Sequence, residues 1–330
     1  MAVNILITGA GGYISQEHVE AWAKLGTDAI QVDLTDEEAV ANTVLRHKVN
    51  VIVHTASSIN WDLAKNLISA LARWRGKSGQ ETYFIHTSGT GAFSPNTGWP
   101  SGDFNDTDDV FGTEKRLADS FPLRQTDVNV IEHAKAVGVI SFIVVPSIVY
   151  GRGTGPWNQL SVVLPQYISA AITQKAVYKF SENTKISAVH VSDLTALYSR
   201  VIEAILEGKE IERGERGYYF GIAHNLYWHD VAAKLATIMK ARGLVSSGEP
   251  RVWTDAAEAA EPLGVPAAFV QALWNSGDNI ITHNEDRIGW KPTWTSERFY
   301  EHINEEMEAV VELGQAKSSL IKSLHAAARG

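Results

Sequence analysis

Cysteine is absent from the 330 residues, which excludes disulfides, thiolate nucleophiles and cysteine-ligated metal sites together. Nor is there an uninterrupted apolar run of about 20 residues, the length a membrane-spanning helix needs. Positive charge is scarce: 29 Lys and Arg against 38 Asp and Glu give a formal net charge of -9, and no long basic run offsets it. A nucleic-acid backbone is held by basic side chains that release its counterions, so nucleic acid is not expected as a partner, and neither is a membrane. The first apolar strand begins at Val3, which leaves no room for a signal peptide, and a cytoplasmic location is expected.

What is there is the composition of an ordinary globular chain, 45% hydrophobic and 20% charged, long enough for one large domain or two packed ones. The 10 tryptophans are many for this length and are expected in the core or on the rims of a cleft. Apolar runs rich in Val and Ile recur as "VNILIT", "AIQVDL", "VNVIVHTAS", "TYFIHTSGT" and "SFIVVPSIVYG", with helical patterns between them. Strands that are apolar on both faces and alternate with helices predict an α/β fold, a doubly wound parallel sheet of Rossmann type. The helix "TDEEAVANTVLRHK" opens on a Thr cap and early acids. From about Arg152 the texture changes to a glycine-rich loop and then to a smaller, mostly helical carboxyl-terminal region. The expected division is 1–150, with 179–206 returning to it, against 151–178 and 207–330.

The first strand passes directly into Thr8, Gly9, Ala10, Gly11 and Gly12. A glycine turn at the carboxyl end of a buried strand lets backbone approach a pyrophosphate, whose charge then faces the amides of the next helix. Six segments in fixed order, "TGAGGYI", "VDLTD", "VIVHTAS", "FIHTS", "VPSIVYGRG" and "AVHVSDL", give the chain a resemblance to extended, atypical short-chain dehydrogenases/reductases. That group includes NAD-dependent epimerases and dehydratases and their fungal NAD(P)-binding relatives. The resemblance implies NAD or NADP as cofactor. It puts Gly9, Gly12, Tyr13 and Ile14 against the pyrophosphate, Asp33 and Leu34 at the adenine, Thr55, Ala56 and Ser57 at the ribose and phosphate, and Pro146, Ser147, Ile148 and Val149 at the nicotinamide. It also implies a homodimer through sheet-flanking helices, of which "NLISALARWRGK" and "VNVIEHAKAV" are the candidates.

Two departures bear on function. A dinucleotide fold needs a second strand about 20 or more residues past the glycines, ending in an acid for the ribose or a base for a 2′-phosphate. Only "SQEHVEAWAKLGTDAIQ" separates Ile14 from Val32, and Val32-Asp33 already resembles the third strand. Either the protein lacks that unit, or a segment near Ser15 and Gln16 is missing from the sequence; the likeness of "QEHVEAWAKLGTDAIQVDL" to the family's later helix and third strand favours the second. The other departure is chemical. The family's acid/base pair is a Tyr with a Lys four residues on, the Lys lowering the Tyr pKa. Alignment of the helix that holds "DVNVIEHAKAVGV" sets Asp119 and Leu123 at those places, and the usual hydroxyl falls on Gly89, flanked by the candidates Ser88 and Thr90.

Other polar groups have a bland reading beside the functional one. His86, at a strand end, reads as a hydrogen-bonded core residue, and Arg124 and Asp127, one helical turn apart, as an intrahelical pair. Tyr150 and Arg152 are substrate candidates, with a surface salt bridge the alternative for Arg152. Trp99 and Trp157, and Trp228 beyond them, are candidates to wall a cleft for a flat ligand or else to clamp the two regions together. His190 and Asp193 read as a structural joint, and His224 and His229 have a poor spacing for metal.

Three functions remain open on the sequence. The first is an atypical NAD(P)-dependent oxidoreductase or epimerase-like enzyme acting on a small carbonyl or hydroxyl compound. The second is a cofactor-binding redox sensor without turnover, and the third a non-redox isomerase in the same cleft. On the missing-segment explanation, the intact protein has a mass well above 36.1 kDa. Mass spectrometry that returns 36.1 kDa removes that explanation.

Overall fold

The computed structural model describes residues 3–9, 28–155, 158–277, 279–314 and 319–328. The strands are β1 (Asn4–Thr8), β2 (Val49–His54), β3 (Tyr83–Thr87), β4 (Phe104–Asn105), β5 (Ile140–Pro146), β6 (Ile148–Tyr150), β7 (Tyr178–Lys179), β8 (Lys185–His190), β9 (Tyr218–Gly221), β10 (His224–Tyr227), β11 (Arg251–Val252) and β12 (Ile280–Ile281). The helices are α1 (Glu37–Arg46), α2 (Trp61–Ser78), α3 (Val110–Arg116), α4 (Pro122–Val137), α5 (Val163–Gln174), α6 (Val191–Leu206), α7 (Trp228–Ala241), α8 (Ala256–Leu263), α9 (Ala267–Trp274), α10 (Asn284–Arg287), α11 (Ser296–Leu313) and α12 (Ser319–Ala327). They form two compact units, one of residues 1–88, 106–145 and 204–219, the other of 89–105, 146–203 and 220–330.

The first unit is built on a five-stranded sheet in the order β1-β2-β3-β5-β9, a Rossmann-type sheet in which β1, β2, β3 and β5 run parallel. All six residues of β2 are buried, as a strand covered on both faces requires. The register sets Thr8 beside His54 and His54 beside His86, so the carboxyl ends of three strands finish level. Helix α2 is capped by the Asn60 side chain, ends on Gly79 at φ 70°, and buries Ala64, Leu67, Ile68 and Leu71 at helical spacing. Burial of each such Leu or Ile stabilises the unit by about 1.5–3 kcal/mol. In α4, Pro122 stands in the first turn and Gly138 closes the end at φ 75°; its buried stripe is Asp127, Val130, Ile131 and Ala134. A carboxylate therefore holds a core position.

The expected strand over "AIQVDL" is not formed. Residues 28–34 are irregular: Asp33 accepts from the Thr35 amide (2.9 Å) and hydroxyl (2.7 Å), and its carbonyl accepts from the Asp36 amide. These local bonds draw the chain into a turn and away from a ladder. Thr35 is consequently spent in that turn, and the cap of α1 is Asp36, which accepts from the Ala39 amide at 3.0 Å.

The second unit carries a three-stranded sheet, β10-β8-β6, and the pairs β7/β11 and β4/β12. Here the division differs from the expected one: 179–203 joins this unit because β8 pairs with β6 and β10. Its core takes much of the tryptophan, with Trp228, Trp253 and Trp274 at most 1% exposed and the Trp274 indole donating to the Val163 carbonyl at 3.0 Å. Asp193 is the joint of this unit: its carboxylate accepts from the Thr293 amide and hydroxyl and the Trp294 amide, and its carbonyl from the Trp290 indole. Substitution Asp193→Ala leaves three donors without their acceptor. We expect a loss of about 3 kcal/mol, with Asp193→Asn losing less, read as a shift of the urea midpoint at unchanged slope.

Candidate active site

At the carboxyl edge of the first unit, Gly9 follows β1 with φ +80°, and a Cβ there would stand 2.8 Å from the Thr55 carbonyl and the Ala56 amide nitrogen. Only glycine fits this conformation and this closeness. The Thr55 hydroxyl donates to the Thr8 carbonyl at 2.6 Å, tying the ends of β1 and β2 together, and the Ser57 hydroxyl accepts from the Asn60 amide at 3.1 Å. Gly9 is exposed while Thr8 is buried; the rest of β1 is not the buried strand expected, with Ile5 39% and Ile7 55% exposed. Gly12, Tyr13 and Ile14 lie outside the described residues, as does Trp157. The Asp33 carboxyl is held below its ordinary range by the two Thr35 bonds, and the Leu34 carbonyl accepts from Asn66 at 3.0 Å.

Beneath Ser88, one residue past β3, is a buried polar cluster. The Ser88 hydroxyl donates to Asp127 Oδ2, and Asp127 Oδ1 lies 3.3 Å from His86 Nε2 with both side chains fully buried. Asp127 thus turns toward β3, not along the helix to Arg124 as expected; its place in the apolar stripe of α4 points it at the sheet. His86 stacks on His54 with centroids 5.7 Å apart, and His54 Nδ1 is 2.8 Å from the Thr8 hydroxyl. Burial, with the His86 ring beside it, pushes His54 down to about 3, so it is neutral. Behind Asp127 stands Glu114 of α3, which is fully buried and accepts from the Tyr218 hydroxyl at 2.5 Å. Its carboxyl is raised well above 4.5, first by burial and then by the charge of Asp127. Arg124, also buried, faces Glu114, and its guanidinium donates to the Ser120 hydroxyl at 2.8 Å.

The remaining candidates belong to the second unit. Thr90 is buried at the start of a 3-10 turn, Thr90–Phe93. Trp99 is 5% exposed and packs edge-on to Phe93 at 4.9 Å, which makes it core, not a cleft wall. Trp228 is core as well. Pro146 ends β5, Ser147 donates to the Gly221 carbonyl at 2.7 Å, and Ile148 and Val149 lie in β6. Tyr150 and Arg152 line a cavity of about 250 Å³ with His190, Trp294 and Glu306. Tyr150 reaches His224 at 2.9 Å, while Arg152 clasps Glu312 through two bonds of 2.8 and 3.1 Å, the surface salt bridge of the alternative reading. Glu306 bonds the Gly151 amide, and burial raises its carboxyl to about 7.

Sequence reasoning passed over Glu114, Tyr218 and His54, and gave Asp127 the wrong partner. One signal was available: in "PLRQTDVNVIEHAKAV" the aspartate falls on the apolar phase of the helix.

Comparison with known proteins accords with this architecture. The dTDP-glucose 4,6-dehydratase of Bacillus anthracis in complex with NAD superposes with a TM-score of 0.60 at 14% identity, over 94% of this chain and 98% of that one. A threonine dehydrogenase of Cupriavidus necator gives 0.55 at 16% identity over 92% and 99%. A UDP-glucose 4-epimerase of Thermus thermophilus in complex with NAD gives 0.55 at 13% over 93% and 99%. No curated protein matches. No helix among the described residues is long and apolar enough to cross a membrane. The family signature spans residues 5–214, more than half of the sequence, and the chain belongs to the NAD dependent epimerase/dehydratase family.

Proposed function

We propose that this chain is an NAD(P)-dependent oxidoreductase or epimerase-like enzyme that acts on a small carbonyl or hydroxyl compound without the family's Tyr-Lys pair. The observation that carries the reading is Gly9, whose left-handed backbone is pressed against Thr55 and Ala56 at the level ends of two parallel strands. That turn offers backbone where a side chain would not fit, which suits a pyrophosphate. In this reading Gly9, with Gly12, Tyr13 and Ile14, holds the pyrophosphate, and Thr55, Ala56 and Ser57 border the ribose and phosphate. Asp33 and Leu34 serve the adenine and Pro146, Ser147, Ile148 and Val149 the nicotinamide. When bound, the nicotinamide supplies or accepts hydride. The chain's own part is to orient it and to provide a proton at the substrate oxygen.

The absence of the usual pair is supported by both registers in which it can be sought. Asp119 is exposed in a 3-10 turn and Leu123 is aliphatic. The same spacing recurs at Phe111 and Lys115, but a phenyl ring has no proton to give and Lys115 is bonded to Glu132 at 2.5 Å. This observation also favours a second reading, a protein that binds the cofactor and senses its redox state without turning it over.

Titration with NADH and NADPH under native mass spectrometry is expected to give one nucleotide per chain. Binding of neither overturns the proposal, and binding with no oxidation across a panel of small carbonyl compounds selects the sensor. Gly9→Ala is expected to abolish that binding and to cost about 1–2 kcal/mol for an alanine held at positive φ, read in the thermal midpoint.

A further inference from the structure

The cavity beside Tyr150 is built wholly within the second unit, between the turn after β6, the end of β8 and one face of α11. Two polar atoms in its wall have no partner among the described residues. Glu306 is 7% exposed, and its Oε1 accepts from the Gly151 amide, which leaves Oε2 open to the cavity. The second atom is His190 Nε2. Burial pushes that ring down to about 4, so it is neutral, and its Nδ1 accepts from the Ser192 amide at 3.2 Å, which assigns the ring hydrogen to Nε2. The ring is fixed by stacking on Trp294, with centroids 3.8 Å apart and planes 9° from parallel. Gly151 brings the two atoms together: Glu306 is on its amide, and a Cβ there would stand 2.2 Å from His190 Nε2. Glycine at this place is what leaves the imidazole uncovered.

The wall is acidic. Arg152 is the only Lys or Arg among the lining residues, and it is spent on Glu312, while Glu305, Glu306 and Glu308 line the cavity as well. Arg242 and Arg298, held by Glu308 and over the Trp294 ring, do not line it. A buried carboxylate with a single amide donor is poorly compensated and gains most from a positive partner. At about 250 Å³ the cavity is smaller than the roughly 300–1,000 Å³ that takes drug-sized ligands, so that partner is small. An ammonium group suits Oε2, and a hydroxyl oxygen suits the Nε2 hydrogen.

We propose that this cavity binds a small amino alcohol, its ammonium on Glu306 Oε2 and its hydroxyl oxygen accepting from His190 Nε2. The site belongs to the second unit alone and stands whether or not the chain holds a dinucleotide. The groups that face Glu306 are His302 and Glu305 of its own helix, Tyr150 and Arg152 of the turn and His190 of β8, with Asp193 and Arg298 acting on Tyr150 behind them. Glu306 must be charged to hold an ammonium, and burial raises its carboxyl to about 7. Affinity is therefore expected to fall about tenfold from one pH unit above that value to one below it, as the carboxylate takes up its proton.

Titration calorimetry of the whole protein with ethanolamine tests the site, with ethylamine and acetate as comparison probes. Ethanolamine is expected to saturate one site per chain, ethylamine to bind several-fold more weakly, and acetate not to bind. The pH dependence is read in wild type and needs no variant. Glu306→Gln keeps the side-chain shape and the acceptor for Gly151, and is expected to weaken ethanolamine binding at least tenfold and to flatten the pH dependence. His302→Gln, which takes away the imidazole on the same helix, is expected to preserve that dependence. No saturable binding of ethanolamine, equal binding of acetate, or unchanged affinity in Glu306→Gln overturns the proposal. So does ethylamine that binds as tightly as ethanolamine, which removes the His190 contact, and so does a pH dependence that is lost in His302→Gln and kept in Glu306→Gln.

Discussion

The structure depends on parallel pairing in register at one edge of one sheet. Because Thr8 pairs with His54 and His54 with His86, three strands end at the same height, and whatever follows each strand is delivered to a common rim. Gly9 can then lean on Thr55 and Ala56, Thr55 can reach back to Thr8, and Ser88 comes to stand over Asp127. A slip of one residue in any pair would turn these side chains to the opposite face. The hydrophobic burial of β2 on both sides is what makes such a slip costly.

Much of the first unit was legible because its signals are local. Val- and Ile-rich runs between capped amphipathic helices announce a parallel sheet, and glycine after β1 announces the turn that the positive φ of Gly9 bears out. The strand expected at "AIQVDL" failed for a local reason too: Asp33 and Thr35 spend their hydrogen bonds on each other. Composition suggested that stretch, but side-chain competition for the backbone decided it.

The polar cluster was legible only in part, because its members are distant in sequence. Glu114, Asp127 and Tyr218 come from two helices and a strand, and no spacing rule joins them. Arg124 and Asp127 show the limit of reading a helix alone. Three residues apart they suggest a pair, yet the helix directs Asp127 into the sheet, where Ser88 and His86 wait for it. Trp99 failed the same way, since a loop rich in turn residues gave no sign that Phe93 would enclose its indole.

Glu306 has a consequence for the backbone beside it. Its carboxyl, raised to about 7 by burial, accepts from the Gly151 amide, and that bond is stronger when the acceptor is charged. Gly151 stands at φ +97° between Tyr150 and Arg152, where a side chain would strike the His190 ring. The protection of a single amide hydrogen, its exchange relative to that of an unstructured amide at the same pH, therefore reads the charge of the cavity, rising on the alkaline side of neutrality and falling on the acid side.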